Sequence, residues 1–355
     1  MNARFARQNR GIIQTIFGSR LCNHLQTPLR ILLKVAHPFA PMKVTMSINH
    51  RIGILVLGIT LVVLSRAARS QEAGFRFLAT GDLPYSQDQD AKYRRLLKQS
   101  EQEDFAFLMH VGDFKSQSMP CSDDEFIKIR DLFWAYPKPV VYTPGDNEWT
   151  DCHGVGADPI ERLDKLRELF FKDPKTLRLD RLDVVPQSHN PKFATYVENY
   201  RFSRAGVAFV VAHVVGSGNN FRPDSPPSMK EFRERNAANI AFLNESFAEA
   251  IANDVPGVVV VIHANPDFEK GVGEGFKDFL SVMRKFLSEY HKPVVCIHGD
   301  THYYRVDKPL KEAAATYLNF TRMEVFGSPN VAGVVVSVDP HDPQVFSCRP
   351  YYLEK

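Results

Sequence analysis

The sequence predicts an α/β fold in which β-sheets stack between helices. Three observations carry that expectation. Short apolar runs of β type alternate with helical patterns from residue 75 to about 298. Segments 193–203 and 206–215 interrupt the alternation as a hairpin leading into a strand, which implies antiparallel pairing and a second sheet. Five apolar runs each finish on Asp or His: Phe75–Thr80 on Gly81-Asp82, Phe105–Val111 on Gly112-Asp113, Val140–Thr143 on Gly145-Asp146-Asn147-Glu148, Val258–Ile262 on His263, and Val294–Ile297 on His298-Gly299-Asp300-Thr301-His302. In an open α/β sheet, ligands bind beyond the carboxyl ends of the strands. Asp and His are side chains that ligate hard-to-borderline divalent metals.

Taken in order, strand 75–80 delivers Asp82, and Leu83-Pro84-Tyr85-Ser86 turns into a polar helix over 88–101 with Tyr93, Leu96 and Leu97 on one side. Strand 105–111 delivers Asp113. Ser122 caps a helix running to about Trp134, with Asp123, Asp124 and Glu125 in the first turn, where negative charge suits the helix dipole. Pro137 and Pro139 lead into strand 140–143. Ile160, Leu163, Leu166, Leu169 and Phe170 fall at helical spacing over 159–171, and residues 173–192 read as loop. After the hairpin, residues 216–220 and the Pro-rich 221–228 form a rigid loop able to overhang the site. A helix over 229–252, strand 258–262, helix 275–290 and strand 294–298 follow, then β segments near 303–307, 324–327 and 331–338. No linker or repeat interrupts 72–355, which reads as a single domain.

The chain has 355 residues and a formal net charge of +3, but the charges are segregated. Residues 1–71 hold ten Lys/Arg and no Asp or Glu; of 44 basic and 41 acidic residues in the chain, that leaves 34 and 41, a formal −7, for 72–355. This mildly acidic remainder offers no basic patch for nucleic acid. The uncharged run of thirteen from Ile52 to Leu64 is short for a membrane span, which needs roughly 17–25 residues. With Lys43 and Arg51 before it and Ala68-Arg69-Ser70 after it, 42–71 reads as a signal peptide, and 1–41 as an upstream extension or targeting segment. The alternatives are an uncleaved, outward-facing membrane anchor for 42–71 and an organelle transit peptide for 1–41. A signal peptide implies a secreted or periplasmic protein. Beyond Cys22, four cysteines remain, an even count that fits an oxidising compartment. Cys121 and Cys152 lie in loops just after two strand-end motifs and are the preferred disulfide pair. Cys296, inside an apolar strand, reads as a buried thiol, although four cysteines leave three connectivities open.

Two divalent ions about 3.5–4 Å apart can clamp a phosphoryl group, and such a centre needs acidic oxygens and imidazoles. Asp82, Asp113, Asp146, His263, Asp300 and His302 supply six. The order Asp82-Leu83-Pro84, Gly112-Asp113, Gly145-Asp146-Asn147-Glu148, His263, Gly299-Asp300-Thr301-His302 resembles the calcineurin-like metallophosphoesterase family, which includes the purple acid phosphatases. The family pattern is Asp-x-His, Gly-Asp, Gly-Asn-His-Asp/Glu, His, Gly-His-x-His, and the resemblance spans most of 75–305. It implies a four-layer α/β/β/α sandwich with two packed mixed β-sheets. It also implies two divalent or mixed-valence metal ions (Mn, Fe or Zn), with Asp82 and His302 on the first, Asp113 bridging, and Asp146, His263 and Asp300 on the second. The implied activity is hydrolysis of small-molecule phosphate mono- or diesters by a metal-bridging hydroxide, with Asp113, Asn147 and His263 as catalytic positions.

Three departures matter. Pro84 stands where the family has a ligating His. Asp146 replaces Asn and Asp300 replaces His, which makes the second site more anionic and favours Mn, Mg, Ca or ferric iron over zinc. Asn147 replaces the His that protonates the leaving group; an amide can hydrogen-bond a phosphoryl oxygen but carries no proton near pH 7. His153 and His213 are candidates to replace that acid, and Asn219 and Asn220 to touch substrate. Glu148, His110 and His298 read as structural or ligand-orienting, and Trp134 and Trp149 as packing residues. Tyr85 is not assigned as a ligand. No Gly-x-Ser-x-Gly elbow or Walker-type loop is present. The rival readings are a non-catalytic metal- or ligand-binding protein on the same fold, and hydrolysis at a single metal.

Overall fold

The apolar runs at 75–110 build two parallel neighbours, β1 (Phe75–Thr80) and β2 (Phe105–His110), joined through helix α1 (Gln87–Ser100). The computed structural model describes residues 73–270 and 273–354; the expected leader segments 1–41 and 42–71 lie outside the described residues. Helix α1 begins where the Ser86 side chain accepts from the Gln89 backbone N–H, and Asp88 and Asp90 sit in its first turn. Helix α2 (Asp123–Ala135), capped by Ser122, returns the chain to β3 (Val140–Tyr142), parallel to β2. Helix α3 (Pro159–Leu166) is capped by Asp158 and leads through loops to β4 (Val185–Pro186), β5 (Tyr200–Arg204) and β6 (Val207–Val211). Long helix α4 (Pro226–Ala252), β7 (Val258–Val261), helix α5 (Lys277–Glu289) and β8 (Val294–His298) follow. The chain closes with β9 (Arg305–Asp307), a small hairpin of β10 (Lys311–Glu312) and β11 (Ala315–Thr316), β12 (Phe320–Glu324), β13 (Ala332–Val338) and β14 (Phe346–Tyr352).

One sheet runs β14-β13-β1-β2-β3 and the other β4-β5-β6-β7-β8-β12-β9; both are mixed. Their facing sides meet through aromatic rings. Phe77 stacks on Phe107 at 4.7 Å, Phe107 meets Phe209 edge-on at 5.6 Å, and Phe209 stacks on Phe202 at 4.6 Å. Alternation along the strands explains the layers. On β7 and β8, Val259, Val261, Val295 and Ile297 join the core between the sheets, while Val258, Val260, Val294 and Cys296 pack with Phe242, Leu243 and Phe247 of α4 and Phe279, Leu280 and Met283 of α5. On the far side of the first sheet, Thr80 hydrogen-bonds Tyr93 of α1 at 3.0 Å and His110 packs on Phe133 of α2. The result is the expected four-layer α/β/β/α sandwich.

Local differences from the sequence reading have physical causes. The helix expected over 159–171 is α-helical only to Leu166 and widens into a π turn over Arg167–Phe171. That turn lets consecutive Phe170 and Phe171 both pack on Tyr142, at 5.1 and 5.6 Å between ring centres. The strand expected from 193 begins only at Tyr200; before it, Glu198 and Asn199 are buried and bonded to Arg167, His213, Gln187 and Asn239 instead of entering a ladder. The segment expected at 324–327 is β12, which starts at Phe320. Its Arg322 is buried because Asp307 and Glu269 neutralise it, and Glu324 because Arg305 does. Strand β14 was hidden by Pro350, which an edge strand tolerates. Trp149 is fully buried, but Trp134 is 51% exposed with Arg178 over its ring, so its packing role is corrected to a surface contact.

Candidate metal centre

Parallel β1, β2 and β3 of one sheet, and parallel β7 and β8 of the other, end at the same edge of the sandwich. The turns after them bring all six predicted ligands together. Asp82, Asp113 and His263 form one group and Asp146, His263 and Asp300 a second, each with ligand atoms within 4.8 Å of one another. His263 is shared: its Nε2 lies 2.8 Å from Asp146 Oδ1 and 3.5 Å from Asp113 Oδ1. His302 joins from the far side, with Nε2 at 3.5 Å from Asp82 Oδ1. The second group is thus the expected one; the first is tighter around His263 than expected, with His302 at its rim. Asp82, Asp113, Asp300 and His302 all hold left-handed backbone, at φ 53°, 56°, 79° and 60°. Each such non-glycine residue costs roughly 1–2 kcal/mol, and strain of this kind concentrates where geometry serves function.

Glu148 holds the turns in place. Fully buried, it accepts from the backbone N–H of Asp113 (2.9 and 3.0 Å) and Gly145 (2.9 Å) and from the Tyr142 hydroxyl (3.0 Å). Lys115 Nζ, also buried, donates to the carbonyl of Asn147 at 2.8 Å. A disulfide between Cys121 and Cys152, with Cα atoms 5.8 Å apart, ties the loops after β2 and β3, as the loop positions suggested. Gly145 is required because a Cβ there would stand 2.1 Å from Asp113 Oδ1.

The electrostatics suit cations. Burial pushes the Asp82 and Asp113 carboxyls well above the usual carboxylate range, and Asp300 up to about 6. Burial also opposes ionisation of Asp146, but the hydrogen bond and charge of His263 hold it below that range. Burial opposes the charge on His263 as well, yet Asp113 and Asp146 keep it protonated well above the usual range. One imidazolium is thus the local counter-charge for four crowded acids. Two further observations show that these residues fit metal ions. Asp82 Oδ2 is buried with no hydrogen-bond partner. The Nδ1 atoms of His263 and His302 sit 2.7 and 2.8 Å from the carbonyls of Val111 and Ser328, which leaves each Nε2 facing carboxylates, the posture of metal-ligating histidines.

The other predicted residues are placed as follows. Asn147 Nδ2 donates to Asp113 Oδ2 at 2.6 Å, so it is in the centre. His213 is buried against Glu198 and the Trp149 ring, and burial lowers it to about 4. His153 lies beside Arg222 with Nδ1 on the Thr150 carbonyl. Asn219 is bound by Arg235 and to the Gly275 carbonyl, and Asn220 to Glu231. His213, Asn219 and Asn220 are thus buried in scaffold contacts, whereas His153 is exposed at the surface. His110 and His298 are buried and lowered to about 3 by that burial. Sequence reasoning missed Ser217, whose hydroxyl reaches Asp146 Oδ2 (2.9 Å) and Asp151 Oδ1 (2.8 Å), and the Tyr85 hydroxyl at Asp113. Tyr85 stood three residues from Asp82, and Ser217 in a Gly-Ser-Gly turn, but neither spacing says where a side chain points. A cleft of about 920 Å³ opens at the other end of β1; none of the six ligands lines it, and the donor set rather than cavity size marks the site.

The family model for calcineurin-like phosphoesterases matches residues 75–304. The chain belongs to this family. Metal binding and hydrolase chemistry come with it at that level. Among solved structures, the chain is similar to a dimetal phosphatase from Danio rerio (12% identity, 80% of this chain and 100% of that one, TM-score 0.47). It is also similar to a purple acid phosphatase from yellow lupin, Lupinus luteus (14% identity, 79% and 54%, TM-score 0.46), and to GAP50 of Plasmodium, described as the anchor in the inner membrane complex (11% identity, 80% and 90%, TM-score 0.47). Among curated sequences it is similar to Arcelin-5A of Phaseolus vulgaris, 29% identical over 130 residues, 34% of this chain and 46% of that protein; the chain thus spans about half the length of this relative.

Proposed function

We propose that this protein is an exported, metal-dependent phosphoesterase acting on phosphate mono- or diesters of small molecules. The observation that supports it is the pair of carboxylate–imidazole groups sharing His263 at the strand ends. Asp82, Asp113 and His302 would hold one ion, and Asp113, Asp146, His263 and Asp300 the other. Divalent or mixed-valence ions there (Mn, Fe or Zn) supply Lewis-acid charge to a phosphoryl group and activate water. The chain's own groups do the rest. Asp113, whose Oδ1 accepts from the Asn147 backbone N–H at 2.9 Å and lies 3.5 Å from Nε2 of the shared His263, would be the bridging carboxylate. The Asn147 amide carries no acid proton, and its two hydrogens go to Asp113 Oδ2 and Tyr85 Oη, so substrates with good leaving groups react best. Without cations the acidic cluster repels phosphate, so metal must bind first.

The Cys121–Cys152 disulfide supports a secreted or periplasmic site of action, as does the leader-like composition of 42–71. Among the described residues no helix is long and apolar enough to cross a membrane; membrane association would come from an uncleaved 42–71. The test is hydrolysis of p-nitrophenyl phosphate and bis(p-nitrophenyl) phosphate by manganese-loaded protein. We expect turnover that falls at least about 100-fold in Asp113→Asn; equal rates in the two proteins would sink the reading. The rival, metal binding without turnover, is favoured by Pro84 in the ligand position and predicts metal uptake with neither ester cleaved.

A further inference from the structure

We infer that the Tyr85 hydroxyl is a ligand of the first metal ion and takes the place left by Pro84. The inference rests on the metal-centre reading above and assigns a donor that the sequence motif does not contain.

Tyr85 Oη lies 3.0 Å from Asp113 Oδ2 and 3.3 Å from His302 Nε2, and that Nε2 lies 3.5 Å from Asp82 Oδ1. Donor atoms each about 2.0–2.2 Å from one ion, at tetrahedral to octahedral angles, stand about 3.0–3.5 Å apart. These spacings fit that geometry. Hydrogen counting points the same way. His302 Nδ1 faces the Ser328 carbonyl and so carries its ring hydrogen, which leaves Nε2 a lone pair. Asp113 Oδ2 takes hydrogens from both Asn147 Nδ2 (2.6 Å) and the phenol (3.0 Å), so the phenol's single hydrogen is spent and His302 Nε2 is left without a donor. The other oxygen of the Asp82 carboxylate, Oδ2, is buried with no partner. A cation among Asp82, Asp113, His302 and Tyr85 satisfies all these lone pairs together. Asn147 Nδ2 donates to Tyr85 Oη at 3.0 Å, which steadies the oxygen without blocking its remaining lone pairs.

The backbone holds the ring there. Tyr85 N–H donates to Gln89 Oε1 at 2.9 Å, and Gln89 Nε2 donates to Ser328 Oγ at 2.9 Å. The start of α1 is thereby pinned to the segment that also orients His302. On binding, the phenolic O–H bond breaks, its proton leaves to solvent, and the oxygen lone pair forms the bond to the ion; nothing is oxidised or reduced.

The test loads the purified protein with ferric iron, because a phenolate–ferric bond absorbs visible light and carboxylate or imidazole ligands do not produce that band. We expect the band, with tyrosinate vibrations enhanced in its resonance Raman spectrum. Tyr85→Phe and Tyr85→His should both lose it, and Tyr85→Phe should lose at least about 10-fold in iron affinity, since even outer-shell partners are worth about 10–100-fold. Bound iron without the band in the unaltered protein overturns the inference and leaves the metal centre standing; the same holds if the band survives in Tyr85→Phe. Iron uptake no greater than in Asp113→Asn overturns the metal centre and this inference with it. The spectrum of the unaltered protein decides the matter even if a variant fails to fold.

Discussion

Glu148→Gln isolates what binds the two motif turns to each other. In the native protein one carboxylate serves the N–H groups of Asp113 and Gly145 and the Tyr142 hydroxyl, all between 2.9 and 3.0 Å and out of water. Glutamine has nearly the same shape but one acceptor atom. If its oxygen takes the Oε1 place, its NH₂ faces the Asp113 N–H, which also approaches Oε2 at 3.0 Å in the native state. Two donors then confront each other in a dry site. Turning charged into neutral hydrogen bonds costs about 0.5–1.5 kcal/mol each over three donors, and a buried donor without an acceptor about 1–3 kcal/mol. The total is about 2.5–7.5 kcal/mol. At roughly 2–4 °C per kcal/mol for a chain of this size, the unfolding midpoint should fall by about 10 °C in a calorimetric scan of the metal-free protein. Metal affinity should fall with it, because Asp113 loses the bond that sets its backbone. A variant as stable as the native protein, with equal metal uptake, would refute the idea that Glu148 holds the centre together.

Gly145→Ala places a methyl 2.1 Å from Asp113 Oδ1 and 2.5 Å from Asp113 N; it should lower metal content at Asp113 and slow hydrolysis by more than about tenfold, read by metal analysis and ester cleavage. Reducing the Cys121–Cys152 bond, which closes a sequence separation of 31, should cost about 3–4 kcal/mol by the chain-entropy estimate, seen as a shifted urea midpoint for Cys121→Ser/Cys152→Ser. The three buried histidines should each weaken the fold in acid. Burial lowers His110 and His298 to about 3 and His213 to about 4, so between about pH 6.5 and those values the unfolded chain binds protons that the folded chain refuses. Each contributes a slope of about 1.4 kcal/mol per pH unit, with stability rising with pH and levelling above about 6.5. Because the raised Asp82, Asp113 and Asp300 carboxyls slope the other way in the metal-free protein, the check is the difference in urea stability between the native protein and His298→Gln, which should shrink between pH 7 and 5; an unchanged difference would contradict this.

Most of the scaffold was readable because strand runs such as Val258–Val261 and Val294–His298 are apolar on both faces, as central parallel strands must be. The six candidate ligand positions were readable because each follows such a strand through a short turn. What escaped the sequence was set by pairing at a distance. Arg322 and Glu324 look unfit for a core strand until Asp307 and Arg305 are seen beside them. His213 looks like a catalytic acid until Glu198 and its burial appear. Tyr85 reaches Asp113 across 28 residues and His302 across 217, contacts that no local pattern encodes.

The central claim is a dinuclear centre, and metal content per chain tests it most directly. The protein would be stripped, reloaded in turn with manganese, iron and zinc, and weighed by native mass spectrometry. The account predicts about two ions per chain, dropping to one or none in Asp113→Asn. No tightly bound ion, or equal content in Asp113→Asn, would contradict it.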